Sequence, residues 1–547
     1  MTTTSKQLSS TFLSRRTLLQ SAVLTAVAGS LARPLFADTG GTMVEIASGK
    51  LQGSEANGIK IFKGISYGAP TGGKARFKAP QPATPWTGIR QANAFGPQAP
   101  QGALMIAAPA SSTAAALADE NATYSEDCLY LNVWTPALSG KRPVMVWLHG
   151  GGFSSGSGAS PVTDGANLAR THDVVVLTIN HRLNAFGYLD LSEIAGSEYA
   201  DSSMAGMLDI VLALRWVKEN ISRFGGDPHN VTIFGESGGA RKVSVLMATP
   251  PAQGLFHRAI VQSGSALRMD TRAVGTERAE QLFAALELKK GDIDKLLALP
   301  TERILAAANS VARASGQFRP TTGVPSLPAH PFDPTAPAIS ANVPMMIGTN
   351  LTEASVVMGH DPKILALDEA GVLARIKGLV PENHAARVFE TYRRVYPGMP
   401  PSDLLFRIAT DRGYFLDSTI QAERKAALNA APACLYSFYW MQPLGTDGRM
   451  HSPHGSEIAF AFRNVHLARG DNPGPLVDLM SECWATFART GNPSTKRLPW
   501  PQYDAERRPT MIFDKHSRTD NDPRGELRQL MLSFGSQQYA EREIPPL

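Results

Sequence analysis

One serine set among glycines carries the strongest chemical signal in the chain. Residues 231–239 read Val231-Thr232-Ile233-Phe234-Gly235-Glu236-Ser237-Gly238-Gly239, and helix-forming sequence follows from Val243 to Met247. A β-branched run that passes through Gly-x-Ser-x-Gly into a helix predicts a sharp strand-to-helix turn. Such a turn lifts the Ser237 hydroxyl above the strand ends as a nucleophile, and only small residues fit beside it. It also sets the Gly238 N–H at a helix N-terminus, where it can stabilise an oxyanion. A second signal, His149-Gly150-Gly151-Gly152-Phe153, directly follows the apolar run Val144–Leu148. Three glycines free the backbone to present N–H groups, so Gly151 and Gly152 are expected to complete an oxyanion hole. Read alone, either glycine run is also compatible with an ordinary turn. Their order, each after a buried strand, points to acyl transfer through a serine.

Such a turn needs a rigid sheet beneath it. Short apolar runs recur at Val144–Leu148, Val174–Asn180, Val231–Phe234, Ala259–Gln262, Met345–Ile347, Leu435–Trp440 and Thr510–Phe513. Most are nearly continuous in apolar residues, as strands buried on both faces must be. Helical patterns lie between them, for example Met207–Phe224, with apolar positions at three- and four-residue spacing. The alternation predicts an α/β protein with a mostly parallel central sheet flanked by helices. Met43–Glu55 and Ile59–Tyr67 read as an antiparallel pair at the sheet edge. Residues 99–125 read as a long Pro-, Ala- and Ser-rich surface loop of the kind that serves as a lid. Residues 270–315 are helix-rich and lie between two strand signals, as a cap would.

Composition excludes several other classes. The chain has 547 residues and a formal net charge of +5. Lys6, Arg15, Arg16 and Arg33 fall in the first 37 residues, which contain no acid; removing them from 53 basic residues leaves 49 against 48 acidic ones, or +1. A near-neutral chain without basic runs argues against nucleic acid as a partner. Ser14-Arg15-Arg16-Thr17-Leu18-Leu19, followed by an apolar stretch to about Leu31, reads as a twin-arginine export signal. Its apolar stretch is too short and too rich in Ala and Gly for a stable membrane span. Residues 1–37 are therefore expected to be removed, with cleavage after Ala37 (Ala32 being the alternative), leaving residues 38–547 as one exported, periplasmic or secreted domain. Cys128, Cys434 and Cys483 are too few and too scattered for a disulfide framework or a zinc site, and are read as buried free thiols.

Beyond these signals lies a broader likeness. Glu126-Asp127-Cys128-Leu129-Tyr130-Leu131-Asn132-Val133-Trp134-Thr135-Pro136 resembles the signature of the type-B carboxylesterases, which include bacterial para-nitrobenzyl esterases and the cholinesterases. Phe62–Pro70, Asn180–Tyr188, Phe224–Pro228 and Gly491–Pro493 are similar to family segments too, so the likeness runs from about residue 42 to 514. It implies an α/β-hydrolase fold with helical cap insertions, and a serine esterase that needs no metal or cofactor and acts on small-molecule esters. It also implies the remaining catalytic residues. Glu353, in Ile347-Gly348-Thr349-Asn350-Leu351-Thr352-Glu353, takes the place of the triad acid. His454, in the His-Gly-x-Glu pattern of His454–Glu457, takes the place of the base, with His451 a decoy. By the same resemblance Glu236 lies near the attacking water and Ser263 hydrogen-bonds the triad acid, while Phe153 shapes the pocket wall. A non-catalytic binding protein on this fold, and an acyltransferase or amidase using the same acyl-enzyme, remain as competing readings.

The chain departs from the family pattern at several positions. The lid-loop disulfide of many members needs a partner for Cys128, and Ala99 stands there instead. Gly238 stands where alanine is usual, and Met204 where asparagine is frequent. Arg241 and Lys242 replace small or apolar residues, and pairing with nearby carboxylates is the expectation for both. Residues 270–340 and 400–415 match no motif and are expected to set substrate choice.

Overall fold

The computed structural model describes residues 42–102, 122–444, 448–467 and 473–539. The export signal lies outside the described residues, as do residues 103–121 of the expected lid loop.

The central feature is one sheet of eleven strands. In chain order they are β1 (Ser54–Ala56), β2 (Ile59–Ser66), β3 (Tyr130–Thr135), β4 (Arg142–Leu148), β5 (Val175–Ile179), β6 (Gly226–Glu236), β7 (Arg258–Gln262), β8 (Met345–Asn350), β9 (Ala433–Phe438), β10 (Pro509–Phe513) and β11 (Arg518–Asn521). Across the sheet the order is β11-β10-β9-β8-β7-β6-β4-β5-β3-β2-β1. From β10 to β5 every neighbouring pair is parallel, and the pairs outside that span are antiparallel. The seven apolar runs singled out in the sequence are this parallel centre.

Side-chain alternation divides the core between two faces. Val144, Val146 and Leu148 of β4, with Val231 and Ile233 of β6, join one cluster. Helices α1 (Ala205–Asn220) and α2 (Gly238–Met247) cover it through Met207, Ile210, Val243 and Leu246. Met145 and Trp147, with Phe234 and Tyr436, join the other, against Met480 and Trp484 of a helix at Leu476–Thr490. Both faces are therefore buried, which explains why these strands lack a polar alternation. The helix-rich segment is α3 (Arg272–Ala285), α4 (Ile293–Ala298) and α5 (Thr301–Ser315). No helix of the described residues is long and apolar enough to cross a membrane.

The N-terminal pairing differs from the expectation. Met43–Ile46 turns back on Gly49–Gln52, and these two join Ile89–Gln91 in a separate three-stranded sheet. Of the 43–55 segment only its end, in β1, pairs with β2. The turn at Ala47–Ser48 breaks the segment, so its first half closes locally before it can reach the large sheet. Cys128, Cys434 and Cys483 are free and buried, and Ala99, where a partner for Cys128 would sit, is itself buried. Met204, where asparagine was noted as frequent, is fully buried and leads into α1; nothing in the structure explains the exchange.

Candidate active site

The residues singled out for chemistry converge at the carboxyl ends of the parallel strands, where open α/β sheets bind their ligands. Ser237 follows β6 directly and begins α2. Its backbone sits at φ 56, ψ −122, a strained conformation for a residue with a Cβ. Such strain costs ~1–3 kcal/mol and persists only where the surroundings enforce it. Here the Ser237 N–H donates to Gln262 O at 2.9 Å, and β6 is clamped between β4 and β7. The flanking glycines are required by contact. A Cβ on Gly235 would lie 2.6 Å from Leu148 O, and one on Gly239 would lie 1.9 Å from it. The expected strand-to-helix elbow is therefore present.

The 149–152 turn leaves β4 beside it. Gly151 and Gly152 take φ values of 85° and 62°. Every carbonyl of the turn has a hydrogen-bonding partner. Gly150 O meets His149 Nδ1 at 2.9 Å, and Gly151 O accepts from the Ser154 and Ser155 N–H groups. His149 O and Gly152 O accept from Lys242 Nζ at 3.3 and 2.8 Å. The N–H groups of Gly151, Gly152 and Gly238 have no acceptor among the described residues. Three free donors thus lie against the serine turn, since a Cβ on Gly150 would be 3.5 Å from Ser237 Cβ.

Glu353 and His454 arrive from loops after β8 and β9. His454 Nδ1 is 2.6 Å from Glu353 Oε2. The other oxygen, Oε1, accepts the Asn350 N–H at 2.6 Å. Glu353 is wholly buried, and both its oxygens are committed. Beside them Glu457 accepts from Asn350 Nδ2 at 2.6 Å and Gln262 Nε2 at 3.2 Å, tying the His454 loop to the ends of β7 and β8. His451, by contrast, packs edge-on against Phe406.

The imidazole's other nitrogen, Nε2, lies 3.1 Å from Glu236 Oε1, a distance for an ion pair but outside hydrogen-bond geometry. Ser237 Oγ makes no hydrogen bond among the described residues, so the serine–histidine contact is open here. Catalytic hydrogen bonds often close only around substrate. Burial pushes the Glu236 carboxyl up to about 8, reinforced by Glu457 and Glu353 and opposed by His454. For His454, burial acts downward, but Glu236, Tyr414 and Glu353 outweigh it and hold the imidazolium well above its ordinary range. Burial likewise lifts Glu457 to about 6.

Two expectations need correction. Ser263 Oγ is buried without a hydrogen-bonding partner, so its bond to Glu353 is not formed. Glu353 Oε1 accepts the backbone N–H of Asn350. Lys242 does not pair with a carboxylate among the described residues; its ammonium is buried under the glycine turn, on two backbone carbonyls. Phe153, read as pocket wall, is buried edge-on against Tyr188 and lies under the Lys242 ammonium.

Sequence reasoning missed Tyr414 and Gln317. The Tyr414 ring centroid lies 5.2 Å from that of His454, on a π-helical turn, Asp411–Phe415, and such turns concentrate at functional sites. Gln317, just after α5, accepts the Phe153 N–H at 3.1 Å. The only signal for either was its place in the regions assigned to substrate choice. No group of three or more His, Cys, Asp or Glu side chains among the described residues is placed to hold a metal ion.

Comparison with known proteins agrees with this geometry. The model of the carboxylesterase family matches residues 40–530. The chain is 34% identical to the para-nitrobenzyl esterase of Bacillus subtilis, over 88% of this chain and 96% of that one. It is 31% identical to the phenmedipham hydrolase of Pseudarthrobacter oxydans, over 84% and 92%. Among solved structures, a carboxylesterase of Geobacillus stearothermophilus superposes with a TM-score of 0.77 at 36% identity, covering 89% of this chain and 99% of that one. The chain belongs to the carboxylesterase family, and is a carboxylic-ester hydrolase on the α/β-hydrolase fold.

Proposed function

We propose that Ser237, His454 and Glu353 form the catalytic triad of this esterase, and that the Gly151, Gly152 and Gly238 N–H groups form its oxyanion hole. The observation that carries this reading is the set of three acceptor-free N–H groups packed against a strained serine. His454 Nε2 takes the Ser237 proton as Oγ attacks the ester carbonyl, and the three N–H groups stabilise the oxyanion. The same nitrogen then protonates the departing alcohol, leaving an acyl group on Ser237. Water, deprotonated by His454, releases the acid and restores the serine. Small to medium apolar acyl esters are the substrate class, acting without metal or cofactor. Turnover of short-chain nitrophenyl esters, with covalent labelling of the Ser237 peptide by a phosphonate, tests the assignment. A folded protein that neither turns over nor is labelled would exclude it.

Glu236 gives the reaction a pH signature. A general base must be neutral, yet the carboxylates around His454 favour its charged form. The acid limb of kcat/KM, which reports the free enzyme, should therefore lie above the ordinary histidine value of ~6.5. Because Glu236 and His454 titrate together, the limb belongs to the pair. In Glu236→Gln one of the carboxylates that raise His454 is gone, so the limb should move to lower pH. A pH–rate profile in which the limb stays in place would show that Glu236 does not set the charge of His454.

We also infer that residues 1–37 direct export by the twin-arginine route. The Arg15-Arg16 pair, the apolar run beyond it and the start of the family match at residue 40 support this. N-terminal sequencing of the protein recovered from the periplasm should begin at Asp38. Unprocessed protein that stays in the cytoplasm, equally in an Arg15→Lys/Arg16→Lys variant, would reject it.

A further inference from the structure

Helix α2 carries an arrangement that the catalytic reading does not use. Gly238 and Lys242 are four residues apart, so they share one face of α2. That face meets the 149–152 turn. A Cβ on Gly238 would lie 2.1 Å from Gly152 O and 2.5 Å from Gly152 Cα, so any larger residue there would lift the turn off the helix. One turn further along, Lys242 is wholly buried and no carboxylate among the described residues pairs with it. Its ammonium donates to His149 O and Gly152 O, the two ends of the turn, and lies 5.4 Å from the Phe153 ring centroid. The 152–153 peptide is held at both poles, its oxygen by Lys242 and its N–H by Gln317 Oε1 at 3.1 Å. Between the pinned carbonyls run Gly150, Gly151 and Gly152, and glycine loses more freedom on ordering than other residues would.

We propose that Gly238 and Lys242 are a paired positioning device for the oxyanion hole: the missing Cβ lets the 149–152 turn settle onto α2, and the buried ammonium holds it there. The inference rests on the assignment of Gly151, Gly152 and Gly238 as oxyanion donors. It joins two departures from the family pattern into one change, since neither serves without the other. An alanine at 238 would push the turn beyond reach of Lys242, and without Lys242 the closer turn would lack its anchor. Lys242 acts through the turn and touches no reacting atom.

Elsewhere the chain provides a comparator. Lys425, in the helix Leu416–Ala426, is also buried and donates to two carbonyls, Ser340 O at 3.1 Å and Ala341 O at 2.7 Å. Its contacts lie in the segment before β8, apart from the glycine turn.

A double-mutant cycle tests the pair. In Lys242→Met, kcat for a nitrophenyl ester should fall by about 10²-fold, the effect of misplacing an oxyanion donor, with KM within about threefold. Affinity for a trifluoromethyl ketone, which places an oxyanion on Ser237, should fall in step with kcat/KM. Gly238→Ala should lose at least as much, and the double variant no more than Gly238→Ala alone, because the alanine already breaks the Lys242 contact. Lys425→Met should leave kcat and ketone affinity unchanged. Should Lys242→Met not fold, Lys242→Gln takes its place with the same criteria. Losses that multiply in the double variant, or a Lys242 variant that keeps its ketone affinity, would overturn the pairing. Wild-type protein that never binds the ketone would instead reject the oxyanion assignment beneath it.

Discussion

Ser237→Ala should lower kcat on a nitrophenyl ester by about 10⁶-fold while leaving KM and thermal stability nearly unchanged. The size of the loss follows from what the hydroxyl does. Without Oγ no acyl-enzyme forms, and the deacylation step has no substrate. The three N–H groups and the pocket remain, so a residue of rate some 10³–10⁴ above the reaction in water should persist. Stability should hold because alanine keeps the Cβ that already accepts φ 56, and because Oγ makes no hydrogen bond that would be lost. Binding should hold because ground-state contacts to the acyl and alcohol parts come from other residues. Steady-state kinetics beside a phosphonate-labelling assay measure both consequences. A variant that keeps more than about a tenth of wild-type kcat would show that another group is the nucleophile.

How much of this was legible depends on how local each cause is. The parallel centre could be read because strands buried on both faces leave an apolar run that no nearby polar residue interrupts. The edges could not. β11 is the polar segment Arg518–Asn521, and nothing in its composition marks it as a strand; it exists because β10 offers it an open side. β6 begins five residues before the apolar run starts, through Gly226-Asp227-Pro228-His229-Asn230. The site divides in the same way. The Ser237 elbow and the glycine turn are local devices, built from spacing alone. Glu353 and His454 lie 101 residues apart on separate loops, so no spacing links them, and only the family resemblance named them. Ser263 was misread for a related reason: its place came from the resemblance alone, and its Oγ is buried without a hydrogen-bond partner, while Glu353 Oε1 accepts the Asn350 N–H. Lys242 was expected to pair with a nearby carboxylate, because the sequence does not show which backbone the fold lays over it. Its true partners are carbonyls some 90 residues upstream, brought over it by the β4–β6 pairing.

Glu353→Gln should cost about 10⁴-fold in kcat, although the replacement is nearly the same size and shape. The reason lies in the second oxygen of the carboxylate. Glu353 Oε1 accepts the Asn350 N–H at 2.6 Å, a short bond to a donor fixed in the backbone. A glutamine must turn its carbonyl oxygen toward Asn350, since the opposite orientation would set two donors against each other. Its NH₂ then faces His454 Nδ1, where Glu353 Oε2 stood at 2.6 Å. An NH₂ can only donate there, so Nδ1 becomes an acceptor and the imidazole proton moves to Nε2. Nε2 is the nitrogen that must receive the serine proton, and in this tautomer it is already occupied. The damage is therefore to protonation state, with geometry kept. KM should change little, and stability should not fall much, because a buried charge is removed along with its partner's charge. Histidine NMR should show the tautomer exchanged between the two nitrogens. If Glu353→Gln kept kcat within about tenfold, the backbone of Asn350 would not be fixing the amide, and the orienting role would belong to Glu236, the carboxylate on the other side of the ring.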